Sequence, residues 1–446
     1  MKRSAKARPS VLPWLVGTAL LGGVGPAAAQ GRHHACLAPS GDDDTAALQA
    51  ALDRCSGAKR PCAVTLCAGT FRIGILRVRD FRGTLRGRGP ERTVLRAHPE
   101  LPVSGDTRDF FREDPIEEDE PWPYLVQFIE GRGRVEDLGI LIPAPPDRST
   151  PTTGWYLLDD GPIFELRGAL LFTGREPVDF EVRDVRVVAE DPGSDLGTTT
   201  FHGAEFGGLL YDPAADDSPG SFPVFPARGR LRVTDSTFDG VLVGTPLAEL
   251  AGARVLVARN RYRSTIAVEV IDADRSAIGV LANRWVVSYR GVQVRQNLDG
   301  VPSRAGEIRV NANRGTVESL SGGFGDGLSF EDPAGVASPD PGATVLRVTG
   351  NRWTLGSGQE AAASGVTAKG AARLRLAGNR LSGTAGAGLE VDATSGCWIW
   401  GNSMGGLDTG AGPDLHLGHD TSDCLAVVGL HDVVDDEGVA NRVIRR

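Results

Sequence analysis

Between Leu231 and Cys424 the chain alternates apolar and polar residues in short runs, and each run ends on a small residue followed by Asn. The phrase reads Leu281-Ala282-Asn283-Arg284-Trp285, then Asn311-Ala312-Asn313-Arg314-Gly315 and Thr349-Gly350-Asn351-Arg352-Trp353. It returns as Ala377-Gly378-Asn379-Arg380-Leu381 and Trp400-Gly401-Asn402-Ser403-Met404. Val257-Ala258-Arg259-Asn260 and Val233-Thr234-Asp235 join the series, and from Asp235 to Asn402 the successive gaps are 25, 23, 30, 38, 28 and 23 residues. Alternation with period two marks strands with one buried face. Self-similarity at a roughly fixed period marks stacked repeats, each of which buries its apolar side only against its neighbours. The pattern predicts an all-β solenoid. The asparagines are expected to be structural: Asn tolerates left-handed backbone at a turn, and stacked amides can hydrogen-bond along the ladder.

A second phrase follows each Asn turn: a small residue, then apolar and free positions in alternation. It occurs at Gly203-Ala204-Glu205-Phe206, Gly240-Val241-Leu242-Val243, Ala267-Val268-Glu269-Val270 and Gly291-Val292-Gln293-Val294-Arg295. It continues at Gly327 to Glu331, Gly365 to Lys369, Gly388 to Asp392 and Asp414 to Leu417. Alternation sends the apolar pair inward and the free pair outward. Two outward rows result. The first is Glu205, Leu242, Glu269, Gln293, Ser329, Thr367, Glu390, His416; the second is Gly207, Gly244, Ile271, Arg295, Glu331, Lys369, Asp392, Gly418.

Composition sets the compartment. Residues 1–29 read as a bacterial-type secretory signal: Lys2, Arg3, Lys6 and Arg8, an uncharged stretch Val11 to Val24, then Ala27-Ala28-Ala29. The stretch is too short for a membrane span, so a secreted or periplasmic location is expected. Loss of those four cations takes the net charge from −9 to −13. So acidic a chain is not expected to bind nucleic acid, because it would have to approach phosphates of like sign. Six cysteines in an exported chain suggest disulfides. Cys397 and Cys424 fall near the same place on adjacent rungs, so a bridge is expected there. Cys36, Cys55, Cys62 and Cys67 would staple the N-terminal end, with three pairings open.

The N-terminal end differs from the repeats. Asp43 or Asp44 can cap a helix, on which Leu48, Ala51, Leu52 and Cys55 share a face. Ala63 to Ile73 reads as strand, turn and strand, followed by Gly83-Thr84-Leu85-Arg86-Gly87-Arg88-Gly89 and Thr93-Val94-Leu95-Arg96. An acidic-capped helix, a strand ending in Ala68-Gly69-Thr70-Phe71, then Leu-x-Gly-x-Gly resembles the opening of pectate-lyase-superfamily proteins. The resemblance implies a right-handed parallel β-helix with the helix plugging its first rung. The expected organisation is a signal (1–29), a linker and capping helix (30–56), a β-helix (57–430) with loop insertions near 101–123 and 190–229, and a C-terminal tail (431–446). A capped solenoid needs no partner, so a monomer is expected.

Candidate chemistry lies on the outward rows, since the resemblance places a substrate groove along this sheet. Glu205 and Glu269 would sit two rungs apart, roughly 9–10 Å between backbones, a separation at which two carboxylates can act as acid and base on a glycosidic bond. His202 enters the strand of Glu205, and Arg295 lies near Glu269. A His or Arg base with a cation beside it would also suit proton abstraction next to a uronate carboxylate. Gln293, Asp272 and Glu331 are the neighbouring candidates for substrate binding. Arg295, Glu331, Lys369 and Asp392 alternate in sign, as ordinary cross-strand pairs do. Trp285 and Trp353 share the position two after Asn, which predicts an aromatic stack; Trp398 and Trp400 share a parity. The motif sets of polygalacturonases, pectate lyases and alginate epimerases are absent, so no catalytic residue carries over from them. No cofactor motif stands out; a calcium site is conceivable among the acidic loops, though no ligand spacing marks one. The reading is an exported polysaccharide lyase or glycoside hydrolase, with a non-catalytic envelope or glycan-binding protein as the alternative.

Overall fold

The computed structural model describes residues 36–60, 62–98, 124–142, 168–190, 201–210, 224–296, 306–318, 325–332, 344–356, 362–410 and 412–446. The signal (1–29), the acidic segment 101–123, and Asp191, Asp195, Asp212, Asp216 and Asp217 lie outside the described residues.

One coil explains the rest. Arg254–Ala258 runs into an asparagine turn, and Arg261–Asp274 leaves it. That long strand shifts register between Ser264 and Ile266 and so serves two sheets, before Ala277–Leu281 opens the next coil. Each coil thus gives one strand to a first sheet (before the turn), a second sheet (after it) and a third sheet (after the bend). Val255, Val257, Tyr262, Val268 and Val270 are its buried inward residues. Full burial of such a side chain stabilises by about 1.5–3 kcal/mol. Among the described residues twenty-eight strands join in one continuous hydrogen-bonded network through parallel pairings. The fold is a right-handed parallel β-helix, the architecture that the sequence resemblance implied. No helix among the described residues is long and apolar enough to cross a membrane.

The asparagine turn works differently from the sequence expectation. The left-handed residue is the one before each Asn: Arg259 (φ 60°), Ala282 (φ 54°), Ala312 (φ 57°), Gly350 (φ 66°), Gly378 (φ 63°) and Gly401 (φ 62°). The asparagines are there for their side chains. The amide of Asn313 donates to the Val280 carbonyl (2.8 Å) and to Asn351 Oδ1 (3.0 Å), while its own Oδ1 accepts from the backbone and side-chain amides of Asn283 (2.9 and 3.0 Å). The same geometry runs from Asn260 to Asn402. At the upper end, Asp235 takes the left-handed position (φ 56°), and Ser236, not Asp235, occupies the ladder and donates its amide to Asn260 Oδ1 at 2.9 Å.

The small residue that opens each third-sheet strand has a packing cause. A Cβ at Gly203 would lie 2.4 Å from the Phe238 ring, at Gly291 2.6 Å from Trp285, and at Gly327 2.4 Å from Trp353. The second sheet's large side chains fill that space. Trp285 and Trp353 lie 6.2 Å apart across Gly315, whose missing side chain lets one indole reach toward the other. Trp398 and Trp400 instead face outward, stacked at 6.1 Å.

The ends are closed covalently and by packing. The helix Thr45–Asp53 buries Leu48, Ala51 and Leu52 on the first coil. Asp43 Oδ1 accepts the Thr45 amide at 2.9 Å, whereas Asp44 turns its carboxylate to the amides of Ser40 and Arg72. Disulfides join Cys36 to Cys67, Cys55 to Cys62, and Cys397 to Cys424 on adjacent rungs (Cα–Cα 4.4 Å for the last). The tail expected at 431–446 is a further partial coil: Val434–Asp436 pairs with Leu415–Leu417, and Arg442–Arg445 with Leu425–Val428. The stretch expected as a loop near 190–229 holds a third-sheet strand, His202–Gly207.

Candidate active face on the third sheet

Register along the third sheet fixes the outward rows. The first runs Leu171, Glu205, Pro246, Glu269, Gln293, Ser329, Thr367, Glu390, His416. Pro246 and Ala248 take the positions expected for Leu242 and Gly244, because Leu247 pairs with Phe206 and Ala248 with Gly207. The sequence phrase at Gly240 was misleading: the chain makes its bend there, and the third-sheet pairing starts at Val243, opposite His202, with Gly244 as the corner residue. The rows point away from the core, yet Glu205 and His202 are each 3% exposed and Glu269 is 6% exposed. An outward direction on this sheet therefore does not mean an open one.

Three clusters occupy the face. In the first, His202 Nδ1 lies 2.8 Å from Glu205 Oε2 and 2.9 Å from the Tyr124 hydroxyl, which also donates to Glu205. Tyr124 starts two rungs away and reaches across Gly168, where a Cβ would come within 2.3 Å of its ring. In the second, Arg295 donates to Glu269 at 2.7 Å. Beside it, Gln293 keeps a buried carbonyl oxygen with no hydrogen-bond partner among the described residues. Asp272 stands at the left-handed turn that ends this strand (φ 46°).

The third cluster was not foreseen. Arg290 pairs with Asp326 at 3.3 Å. The Ser364 amide donates to Asp326 Oδ1 at 3.0 Å, and the Ser364 hydroxyl donates to Glu390 Oε2 at 3.0 Å. Lys369 holds Glu390 from the other side at 3.1 Å. Burial pushes the Asp326 carboxyl up to about 6, against the Arg290 charge and the Ser364 amide and with help from Glu390 and Glu331. Burial alone would lower the Lys369 ammonium, but the hydrogen bond to Glu390 and the charges of Glu390, Asp392 and Glu331 prevail and raise it. The expected ladder Arg295–Glu331–Lys369–Asp392 is in register. Its cations nonetheless form their close ion pairs diagonally, with Glu269 and Glu390 of the first row.

His202, Arg290, Asp326 and Ser364 form one row, three residues ahead of the first. Each immediately precedes the small corner residue of its strand. That adjacency was the available signal. Strict alternation hid it, because the corner residue and the residue after it both point inward, as at Gly203 and Ala204.

Chemically, the face offers carboxylates in contrasting settings: Asp326 desolvated, Glu269 and Glu390 each tied to a cation. Environments that separate two carboxyl groups in this way mark acid and base assignments. Among the described residues no group of three or more His, Cys, Asp or Glu side chains could hold a metal ion.

No protein-family model matches the chain, and no curated protein matches it. Solved structures similar to it include the A-module of a mannuronan C-5 epimerase from Azotobacter vinelandii, at 12% identity and a TM-score of 0.41, covering 91% of this chain and 96% of that one. Another is the tailspike of the E. coli bacteriophage HK620 in complex with pentasaccharide, at 12% identity and a TM-score of 0.47, covering 91% of this chain and 76% of that one.

Proposed function

We propose that the chain is an exported carbohydrate-active protein that holds a polysaccharide along the third sheet and hydrolyses a glycosidic bond there. The observation that carries the reading is Ser364, which hydrogen-bonds two carboxylates of different character. Asp326, pushed up to about 6, is the proton donor to the leaving oxygen. Glu390, partly exposed and paired with Lys369, is the ionised partner that activates water or meets the sugar. Hydrolysis is favoured over elimination because Arg290, Arg295 and Lys369 are each committed to a carboxylate. A uronate lyase needs a cation free to neutralise the substrate's acid group. In this reading Glu205, His202, Glu269 and Arg295 line adjoining subsites, with Gln293 offering its unpaired carbonyl to a sugar hydroxyl and Asp272 and Glu331 at the rim. Export is supported by the three disulfides, which persist in oxidising compartments.

A non-catalytic glycan-binding role is the second reading, and the near-complete burial of Glu205 and His202 favours it. The test is mass spectrometry of products after incubation with acidic and neutral polysaccharides, with and without calcium. Hydrated fragments, lost in Asp326→Asn and Glu390→Gln, support the proposal. Fragments lacking one water identify a lyase and overturn hydrolysis. Activity lost only in Glu205→Gln or Glu269→Gln moves the chemistry to the other end of the face, and binding without fragments leaves the second reading.

A further inference from the structure

The outer face of the second sheet carries a ladder of arginines. Arg261, Arg284, Arg314, Arg352 and Arg380 each follow a turn asparagine, and strand register sets each directly against the next. All five are exposed, and none of their guanidinium groups has an ion-pair or hydrogen-bond partner among the described residues. Like charges facing each other across neighbouring strands repel. Several outward arginines elsewhere are compensated: Arg230 by Asp179, Arg259 by Asp235, and Arg309 and Arg347 by Glu307. A groove of about 430 Å³ along the first sheet likewise sets Asp179 and Glu181 among its arginines. What sets these five apart is their single file on consecutive rungs, in a protein of net charge −9.

The surroundings leave the ladder accessible and suit a sugar. Beside Arg284, Arg314, Arg352 and Arg380 the turn positions are Ala282, Ala312, Gly350 and Gly378, too short to cover them, and beside Arg261 the turn residue Arg259 is drawn to Asp235. The next outward row runs Arg263, Val286, Thr316, Thr354 and Ser382 in register, hydroxylic over its last three rungs. One coil beyond Arg380, around the turn on the first sheet, Trp398 and Trp400 present stacked rings that are 43% and 47% exposed.

We propose that this ladder binds a linear acidic polysaccharide lying along the helix axis, with one carboxylate to each guanidinium. The rungs repeat at about 4.8 Å, close to the length of one pyranose residue. Arginine presents a planar fork that takes a carboxylate through two hydrogen bonds, which a lysine cannot do. Single-stranded nucleic acid is the poorer fit, since its binders interleave aromatic platforms with the cations, and the interleaved row here, Arg263, Val286, Thr316, Thr354 and Ser382, holds no aromatic ring. The ladder lies on a different sheet from the carboxylate face, so it stands whether or not that face cleaves a glycan.

The experiment is calorimetric titration of the full chain with a linear polyuronate, with the same polymer fully esterified, and with single-stranded DNA, at two salt concentrations. The wild type is expected to bind the polyuronate and not its ester. The triple variant Arg284→Gln/Arg314→Gln/Arg352→Gln is expected to lose at least about ten-fold in affinity and to flatten the salt dependence by two to three units of slope, roughly one per contact removed. Arg309→Gln/Arg347→Gln, a charge change on the first sheet, is expected to shift affinity by less than about two-fold. The triple variant should melt no lower than the wild type, since it removes repulsion. Unchanged affinity, equal binding of the ester, an equal loss in the first-sheet variant, tighter ladder-dependent binding of DNA, or a large drop in the melting temperature of the triple variant would each overturn the proposal.

Discussion

Replacing Asp326 with Asn tests the electrostatics of the candidate face through stability alone. The carboxyl rises from 3.8 to about 6 because burial penalises its charged form. Two pKa units correspond to roughly 3 kcal/mol. The native state holds this proton more tightly than the unfolded chain does, so stability falls as pH rises. The penalty is absent below the unfolded value and complete above the folded one, which confines the effect to a window from about pH 4 to 6. Asp326→Asn removes the titration. It also leaves Arg290 without its partner, but Arg290 stays charged throughout, so that cost shifts the whole profile without tilting it. Asp43, Asp235 and Glu307, held low by their hydrogen bonds to Thr45, Arg259 and Arg309, tilt the profile the other way in both proteins and cancel in the difference. Urea unfolding at a series of pH values is the assay. The variant-minus-wild-type stability should climb by roughly 3 kcal/mol between about pH 3.5 and 7. A difference flat to within about 0.5 kcal/mol over that range would refute the claim that Asp326 is a desolvated, proton-holding group.

Three further outcomes test the fold that positions the face. Asn313→Ala should cost about 3–5 kcal/mol in urea unfolding, because it strands the buried Val280 carbonyl and Asn283 amide at about 1–3 kcal/mol each. Asn402→Ala, at the partly exposed end of the ladder, should cost clearly less, and equal losses would contradict a ladder mechanism. Gly315→Ala would put a Cβ 2.0 Å from the Trp285 indole, so a loss of about 1–3 kcal/mol or more and a shifted tryptophan emission are expected. Cys397→Ala/Cys424→Ala opens a cross-link of sequence separation 27 and should cost roughly 3–4 kcal/mol, read against wild type under non-reducing conditions.

The sequence by itself determined the solenoid. Alternation and the recurring asparagines are local properties, and stacking repeats them rung after rung, so one phrase specifies many contacts. The Cys397–Cys424 bridge and the Trp285–Trp353 stack follow from the same periodicity, and the capping helix from its own acidic cap and apolar face. It also placed Glu205, Glu269, Gln293 and Glu390 on one outward row, because period-two geometry holds through the middle of a strand. Only the tertiary structure decided what happens where that geometry breaks. At the third-sheet corners two successive residues point inward, which hid the row of Arg290, Asp326 and Ser364, and the bend at Gly240 displaced the expected Leu242 to Pro246. At the asparagine turn the left-handed conformation went to the residue before Asn, since the Asn side chain must point inward to join its ladder. Whether an outward side chain meets water was equally out of reach of alternation. Direction is set by the strand to which a residue belongs, but burial is set by everything that comes to lie over it.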